Sequence, residues 1–221
     1  MMTSLRLSAK CAMRPAAYAL VVVALISSLM ACSGSSRVRK PAELTPIVNQ
    51  FDLQPVWSIN VGSSETFNFH PVLAGDAVYA ASNSGNLVKI DLSSGKKIWD
   101  VSVPGRLAVG PGSDGRVTVA VTNKGAVYAY DDAGKPIWNV NVGSEVLSEP
   151  VVAAGIVVIR TLDNRFLGLD AQTGVRKWMY QRQQSALSLR VGYGMLPINN
   201  EVIVTGFAGG RFGMIAIANG G

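Results

Sequence analysis

The tryptophans of this 221-residue chain recur at a nearly fixed interval. The gaps between successive tryptophans are 42, 39 and 40 residues. The last three each close a similar phrase: SNSGNLVKIDLSSGKKIW, TNKGAVYAYDDAGKPIW and LDNRFLGLDAQTGVRKW. A period of about 20 to 50 residues indicates a repeat architecture, in which each unit buries its faces against its neighbours. The repeated tryptophans are Trp57, Trp99, Trp138 and Trp178.

Within one period the pattern is typical of short antiparallel strands. Residues 70–103 contain β-rich runs at 70–73, 77–81, 86–91 and 97–101. The stretches AGD, SNSG and LSSG separate these runs, and each carries a glycine that can supply the positive φ of a tight turn. Four strands in about 40 residues are typical of one blade of a β-propeller. We therefore predict an all-β propeller of four-stranded antiparallel blades, with about four blades in this chain.

Each repeated phrase places an aspartate three or four residues before a glycine. A carboxylate can accept N–H groups in a turn, and a glycine can take the left-handed conformation there. The following tryptophan lies on the last predicted strand and would dock between blades, where its burial could contribute up to about 4–6 kcal/mol. Because the carboxylates follow the repeat, we interpret them as structural. These residues are Asp91, Asp131 and Asp170, followed by Gly95, Gly134 and Gly174.

Some positions depart from the repeat. Gly85 and Gly125 precede the third predicted strand of their copies, whereas we place Arg165 at this position in the third copy, where it requires another turn geometry. In the fourth copy we place Ala218 where the aspartate is expected. The stretch GFAGGRFG, residues 206–213, is rich in glycine but precedes no predicted helix, which favours a turn over a phosphate-binding loop.

The N-terminal residues have the plan of a secretory signal peptide. Three basic residues precede an apolar run at 16–31, which is shorter than the about 20 residues of a comfortable membrane span. The run ends in Leu-Met-Ala-Cys, which resembles the bacterial lipobox, with Cys32 as the lipidated residue and Ser33 indicating the outer membrane. An ordinary signal peptide or an uncleaved anchor is the alternative. We predict a lipoprotein signal peptide at 1–31, a lipidated flexible tether at 32–48 and a partial propeller at 49–221.

Charge and residue counts exclude several kinds of site. Six of the 20 basic residues precede Pro41, so that 14 basic and 14 acidic residues remain from there onward. This neutral balance argues against a nucleic-acid partner. Cys11 lies in the leader, so a mature chain would keep Cys32 alone and form no disulfide. With His70 as the sole histidine, we predict no catalytic centre, no metal site and no cofactor.

The phrase G-x-L-x-x-(I/L)-D-x-x-(T/S)-G-x-x-x-W resembles the tryptophan-docking repeat of the quinoprotein, or pyrroloquinoline-quinone-like, propellers. Together with the lipobox it is similar to the BamB family, lipoproteins of the outer-membrane β-barrel assembly machinery. That resemblance implies about eight blades, so this chain looks like the N-terminal half of such a protein. It also implies a non-catalytic scaffold, lipid-anchored at the periplasmic face of the outer membrane, with BamA and nascent outer-membrane β-barrel proteins as its partners.

A loop supports this resemblance. Members of the family carry a Leu-x-Leu-Arg loop after the third repeated tryptophan that contacts BamA, which here matches Leu187, Leu189 and Arg190 within residues 183–212. Two apolar side chains and an arginine in a loop suit an interface anchor. A strand with alternating leucines and an exposed arginine is the alternative.

Two other functions remain open from the sequence. One is a periplasmic ligand-binding or sensor propeller with its pocket on the axis. The other is a fragment of a quinone-dependent dehydrogenase, although the mature chain has no cysteine pair and no tryptophan outside the repeat. Since half a propeller leaves two open sheet ends, we expect the 221-residue chain alone to be marginally stable, oligomeric or prone to aggregation.

Overall fold

The computed structural model describes residues 41–45, 51, 53–182, 192 and 194–221. It divides the chain into a unit Met1–Leu53 and a unit Gln54–Gly221, and every described strand belongs to the second unit. The predicted signal peptide, Cys32 and the loop residues Leu187, Leu189 and Arg190 lie outside the described residues.

The strands form four antiparallel sheets, each built from consecutive segments of the chain. Blade 1 has the order β1-β2-β3-β4, blade 2 the order β5-β6-β7-β8, and blade 3 the order β9-β10-β11-β12. Blade 4 is the sheet β13-β14-β15. The strands are β1 (Val72–Ala74), β2 (Ala77–Ala81), β3 (Asn86–Asp91), β4 (Lys97–Ser102), β5 (Gly112–Ser113), β6 (Val117–Val121), β7 (Ala126–Asp131), β8 (Pro136–Asn141), β9 (Val151–Ala153), β10 (Ile156–Arg160), β11 (Arg165–Asp170), β12 (Arg176–Gln181), β13 (Met195–Ile198), β14 (Val202–Phe207) and β15 (Arg211–Ala216).

The predicted all-β propeller of about four blades is confirmed. In blade 1 the second and third strands have the predicted bounds, and β4 extends one residue further than expected. The strand β1 begins at Val72 rather than at His70. Pro71 precedes it, and a proline has no N–H to donate to the ladder with β2.

Blade 4 has three described strands instead of four. In the first three blades the outer strand begins two residues after the loop glycine, at Lys97, Pro136 and Arg176. The corresponding glycine of blade 4 is Gly220, so that an outer strand would begin beyond Gly221, the last residue of this sequence.

The hydrophobic core lies between neighbouring blades. Blades 2 and 3 bury a cluster of valines and leucines that includes Val119, Val127 and Ile159, each 0% exposed. The strand β6, with the sequence VTVAV, is buried along its whole length because it has a blade on each face. The outer strand β8 alternates between exposed and half-buried side chains, as expected where one face of a sheet meets water.

The turn before the third strand of blade 3 differs from our placement. Gly85 and Gly125 have φ values of 95° and 82°, and their N–H groups bond to Ser82 and Thr122. In blade 3, Asn164 takes the place of this glycine: its φ is 59°, and its N–H donates to the carbonyl of Thr161. Placing Arg165 at this position was wrong by one residue. Asparagine tolerates the left-handed region better than most residues, so it replaces glycine here.

The stretch 206–213 forms the end of β14, a turn and the beginning of β15, as predicted. Gly209 and Gly210 in that turn have φ values of 80° and 70°. Across the described part of the chain, no helix has the length and apolar character needed to cross a membrane.

Candidate functional site: the tryptophan docking sites

Each repeated tryptophan reaches from its own segment to the loop before the outer strand of the next blade, or to the corresponding loop of blade 4. There its indole N–H donates a hydrogen bond to a backbone carbonyl oxygen. The four bonds have nearly the same length, which means that one geometry repeats around the fold. They run from Trp57 to Leu92 at 2.8 Å and from Trp99 to Asp132, Trp138 to Ala171 and Trp178 to Ile217 at 2.9 Å.

A glycine lies under each indole ring. A Cβ atom at Gly95 would lie 2.6 Å from the ring of Trp57, and one at Gly174 would lie 2.7 Å from the ring of Trp138. These distances are shorter than any side chain permits. The glycines also have positive φ, 67° at Gly95 and 73° at Gly174. Gly220 under Trp178 repeats both features, with 2.5 Å and a φ of 76°. Gly134 under Trp99 has a φ of 78°, and a Cβ there would lie 3.0 Å from the ring.

The aspartates close the loops that present these glycines. Oδ1 of Asp91 accepts the N–H of Ser94 at 2.8 Å and the hydroxyls of Ser93 and Ser94 at 2.7 and 2.6 Å. The hydrogen bond from Ser93, with those from Ser94, lowers the pKa of Asp91 from 3.8 to about 2. The structure therefore places this carboxylate in a turn, where it accepts hydrogen bonds.

The other two aspartates also accept backbone N–H groups of their own loops through Oδ1. Oδ1 of Asp131 accepts the N–H groups of Ala133 and Lys135 at 2.9 and 2.8 Å. Oδ1 of Asp170 accepts the N–H groups of Gln172 and Thr173, both at 3.0 Å. The hydroxyl of Thr173 is the main cause of a lowered pKa at Asp170, which is further lowered by Lys177.

In the fourth copy the aspartate position is occupied by Ala216. The N–H of Gly220 bonds to the carbonyl of Ala216 at 2.8 Å, as that of Gly174 does to Asp170 at 2.8 Å. Our placement of Ala218 at this position was wrong by two residues. The loop keeps its shape through backbone hydrogen bonds because Ala216 also donates its N–H to the carbonyl of Gly221 at 2.8 Å.

A cavity of about 440 Å³ lies beside the segments that precede β1, β5 and β9. His70 precedes β1 and Glu149 precedes β9, and His70 Nδ1 lies 2.5 Å from Glu149 Oε1. This pair links blade 1 to blade 3 across the cavity. The His70 side chain is 73% exposed, so water screens the pair. Asn68, Ser148, Gly192 and Gly194 line the cavity beside it.

Comparison with known proteins assigns the repeat to a family. A protein-family model described as outer membrane protein assembly factor BamB matches residues 42–108 and 93–221. The chain belongs to the BamB family. An outer membrane protein assembly factor BamB from Burkholderia pseudomallei is 37% identical over 188 residues, which are 85% of this chain and 49% of that protein. The protein of the same name from Bordetella pertussis is 37% identical over 202 residues, 89% of this chain and 52% of that protein.

The chain thus spans about half the length of the curated BamB relatives it matches. The crystal structure of BamB from Moraxella catarrhalis matches this fold with a TM-score of 0.61 at 24% identity. The match covers 69% of this chain and 46% of that chain, and it supports the propeller fold.

A buried arginine of this BamB-family chain was not identified from the sequence. Arg160 is 2% exposed, and its Nη1 donates to Thr205 Oγ1 at 2.7 Å and to the carbonyl of Gly206 at 2.8 Å. Its guanidinium lies 5.0 Å from the ring centre of Phe166 and 5.2 Å from that of Phe207. Arg160 therefore joins blade 3 to blade 4. The available signal was a charged residue at the end of the apolar run GIVVIR.

Proposed function

We propose that this chain is a non-catalytic lipoprotein scaffold that assists the assembly of β-barrel proteins in the outer membrane. The observation that carries the proposal is the match of the BamB family model to both 42–108 and 93–221. Relatives at 37% identity have the name outer membrane protein assembly factor. Lipidation of Cys32 would hold the propeller at the periplasmic face of the membrane, since several acyl chains anchor a protein stably.

The use of the repeated carboxylates supports a role without catalysis. Asp91, Asp131 and Asp170 each accept hydrogen bonds from their own loop. A carboxylate occupied in this way stabilises a turn and is poorly placed to exchange a proton with a substrate. We assign no cofactor to the chain.

The proposed BamA contact is the loop that carries Leu187, Leu189 and Arg190. In the sequence these residues belong to the segment between β12 and β13, residues 182–194, most of which lies outside the described residues. It is longer than the connections at 103–111 and 142–150, which join the other pairs of successive blades. Extra loop length on a rigid scaffold is a common way to build a binding site. Two leucines and an arginine have the composition of an interface anchor.

The test is recovery of BamA by the full chain extracted from membranes. We expect the native chain to retain BamA and the variant Leu187→Ala/Leu189→Ala/Arg190→Ala to lose it by tenfold or more, since anchor residues each contribute about 1–2 kcal/mol or more. The matched control is Ser185→Ala/Ser188→Ala in the same loop, which we expect to retain BamA. Circular dichroism and thermal unfolding must agree for all three proteins. Equal recovery by the triple variant would refute the assigned loop, and no recovery by a folded native chain would refute the scaffold function.

A further inference from the structure

The last residue of the second strand in blade 3 departs from the repeat. Arg160 of β10 has the position of Ala81 in β2 and Val121 in β6, since each pairs with the second residue of the strand that follows. All three side chains are buried, so a guanidinium lies where the other two blades bury small apolar groups. Burying a charge is costly unless it is paired or hydrogen-bonded, so the role of Arg160 depends on its partners.

One side of the Arg160 guanidinium is linked to the residue directly before β13. Nη1 of Arg160 donates to Oγ1 of Thr205 at 2.7 Å, and the hydroxyl of Thr205 donates to the carbonyl of Gly194 at 2.9 Å. A hydroxyl can donate one hydrogen bond while it accepts another, so both bonds form together. Thr205 is itself buried, at 2% exposure. Arg160 is therefore connected to Gly194 through a single side chain.

The other side of the guanidinium is linked to the residue directly after β12. Nη2 of Arg160 donates to Oδ1 of Asn164 at 3.1 Å, and the carbonyl of Asn164 accepts the N–H of Arg182 at 3.3 Å. A ring adds a second link, because the ring centre of Phe207 lies 5.2 Å from the guanidinium of Arg160 and 4.4 Å from that of Arg182. Cations at such distances are attracted to the face of an aromatic ring.

The two residues linked to Arg160 in this way are the ends of segment 182–194, which joins β12 to β13. In blades 1 and 2 the corresponding connection begins with a buried valine, Val103 or Val142, and both connections are shorter. The polar network around Arg160 thus occurs where the connection between blades is long. A longer connection loses more conformational freedom when it is ordered, and fixed ends lower that cost.

We propose that Arg160 is a positioning residue for segment 182–194. It fixes Arg182 and Gly194 together, so that the residues between them are presented to BamA from a defined base. This inference rests on the proposed function, which assigns the BamA contact to this segment. Holding a binding segment in place before the partner arrives improves affinity, because less freedom is lost on binding. Loss of either link should therefore weaken binding although no contact residue has changed.

The first two variants test one link with little change in volume. Thr205→Val deletes the hydroxyl between Arg160 and Gly194, whereas Thr205→Ser keeps it. A third variant, Arg160→Lys, keeps the positive charge but replaces the planar fork that bonds to Thr205 and Asn164 at once. We expect Thr205→Val and Arg160→Lys to release the segment and Thr205→Ser to behave as the native chain.

The matched control is Thr118→Val in blade 2. Thr118 is 1% exposed, and its hydroxyl lies 3.0 Å from that of Ser113. Thr118→Val and Thr205→Val thus each remove a buried, hydrogen-bonded hydroxyl and should cost similar global stability. Only Thr205→Val should act on segment 182–194, so the control separates positioning from a general loss of stability.

Hydrogen exchange of the full chain measures the segment without any partner. In peptides covering 182–194 we expect Thr205→Val to speed exchange about threefold to tenfold, the effect of losing one hydrogen bond. Thr205→Ser and Thr118→Val should leave these peptides at the native rate, and peptides covering 126–131 report global stability. Equal exchange at 182–194 in the two valine variants would overturn the proposal, because Arg160 would then only join two blades.

Recovery of BamA from membranes tests whether positioning matters for binding. Thr205→Val should retain about threefold to tenfold less BamA than the native chain, and Thr205→Ser and Thr118→Val should retain as much as the native chain. Unchanged recovery by Thr205→Val, beside a native chain that binds, overturns the positioning role. A folded native chain that recovers no BamA refutes the proposed function instead, and the exchange at 182–194 then decides whether Arg160 holds the segment.

Discussion

The contact between one indole ring and one glycine is the smallest unit of this fold. The ring of Trp138 has room to pack because Gly174 has no side chain. Gly174 also has the left-handed backbone of the loop whose carbonyl, at Ala171, accepts the indole N–H. Gly174 thus has two separate roles: it leaves room for the indole ring, and it adopts a backbone conformation with positive φ. Two glycines of blade 3 allow these roles to be measured separately.

Gly174→Ala should destabilise the protein more than Gly155→Ala. The φ values are 73° at Gly174 and 75° at Gly155, so that both substitutions carry similar backbone strain of about 1–2 kcal/mol. A Cβ at Gly155 would meet nothing within 4 Å, whereas one at Gly174 would lie 2.7 Å from Trp138. Overpacking then adds about 1–3 kcal/mol at Gly174. Urea unfolding of the two variants measures the difference, and equal midpoints would mean that the ring moves aside freely.

The indole nitrogen of Trp138 can be tested in the same way. Trp138→Phe keeps an aromatic ring but loses the hydrogen bond to the carbonyl of Ala171, so we expect a loss of about 1–2 kcal/mol in the free energy of unfolding. Trp138→Ala also removes the ring between blades and should cost about 3–5 kcal/mol. Chemical unfolding followed by circular dichroism distinguishes them. A similar loss for both variants would show that the hydrogen bond, rather than the ring, dominates.

At the scale of an element, the loop after the third strand of each blade depends on a carboxylate in three blades and on backbone hydrogen bonds in the fourth. The low pKa of Asp91 links its loop to pH. The folded-state pKa lies below the ordinary value, so the ionised carboxylate stabilises the fold above about pH 4. That stabilisation is lost as the pH falls from about 4 towards about 2, because protonation of Asp91 removes the charge that its hydroxyl partners favour.

Asp91→Asn should therefore lower the melting temperature at neutral pH and have little effect near pH 2. Asparagine keeps an acceptor oxygen at the position of Oδ1, so that the substitution removes mainly the negative charge. Melting temperatures of the native chain and the variant between pH 2 and pH 7 check this expectation. The control is Asp114→Asn, since Asp114 also accepts N–H groups in a turn, from Arg116 and Val117, but accepts from no hydroxyl among the described residues. A difference between native chain and Asp91→Asn that stays constant with pH would contradict the role of the charge.

The elements could be predicted from the sequence where two signals agree. In blade 1 the β-rich runs and the glycine turns between them together located β2 and β3 to the residue. Prediction failed where a single residue was aligned by spacing alone, as for Arg165 in place of Asn164. A turn is defined by which N–H bonds to which carbonyl, and spacing does not reveal that pattern. The pairing of Arg160 with rings of two blades depends on tertiary contacts and was equally beyond the sequence.

At the scale of the whole molecule, stability is a sum over blade contacts, as in other repeat proteins. Blades 2 and 3 have a neighbour on each side, which is why β6 and β9 are buried throughout. Blade 1 is covered on its first face by residues 58–62 with a cavity between them, and blade 4 has an open apolar face. The terminal blades therefore have fewer packed neighbours than blades 2 and 3 in the described fold.

Hydrogen exchange should reveal this difference between the central and the terminal blades. In dilute solution, amides of β15 that point to its unpaired edge should exchange far faster than those of β7, which is bonded to β6 and β8. Mass spectrometry of peptides covering 211–216 and 126–131 gives both rates. Equal protection of both strands in dilute solution would contradict the unpaired edge of β15.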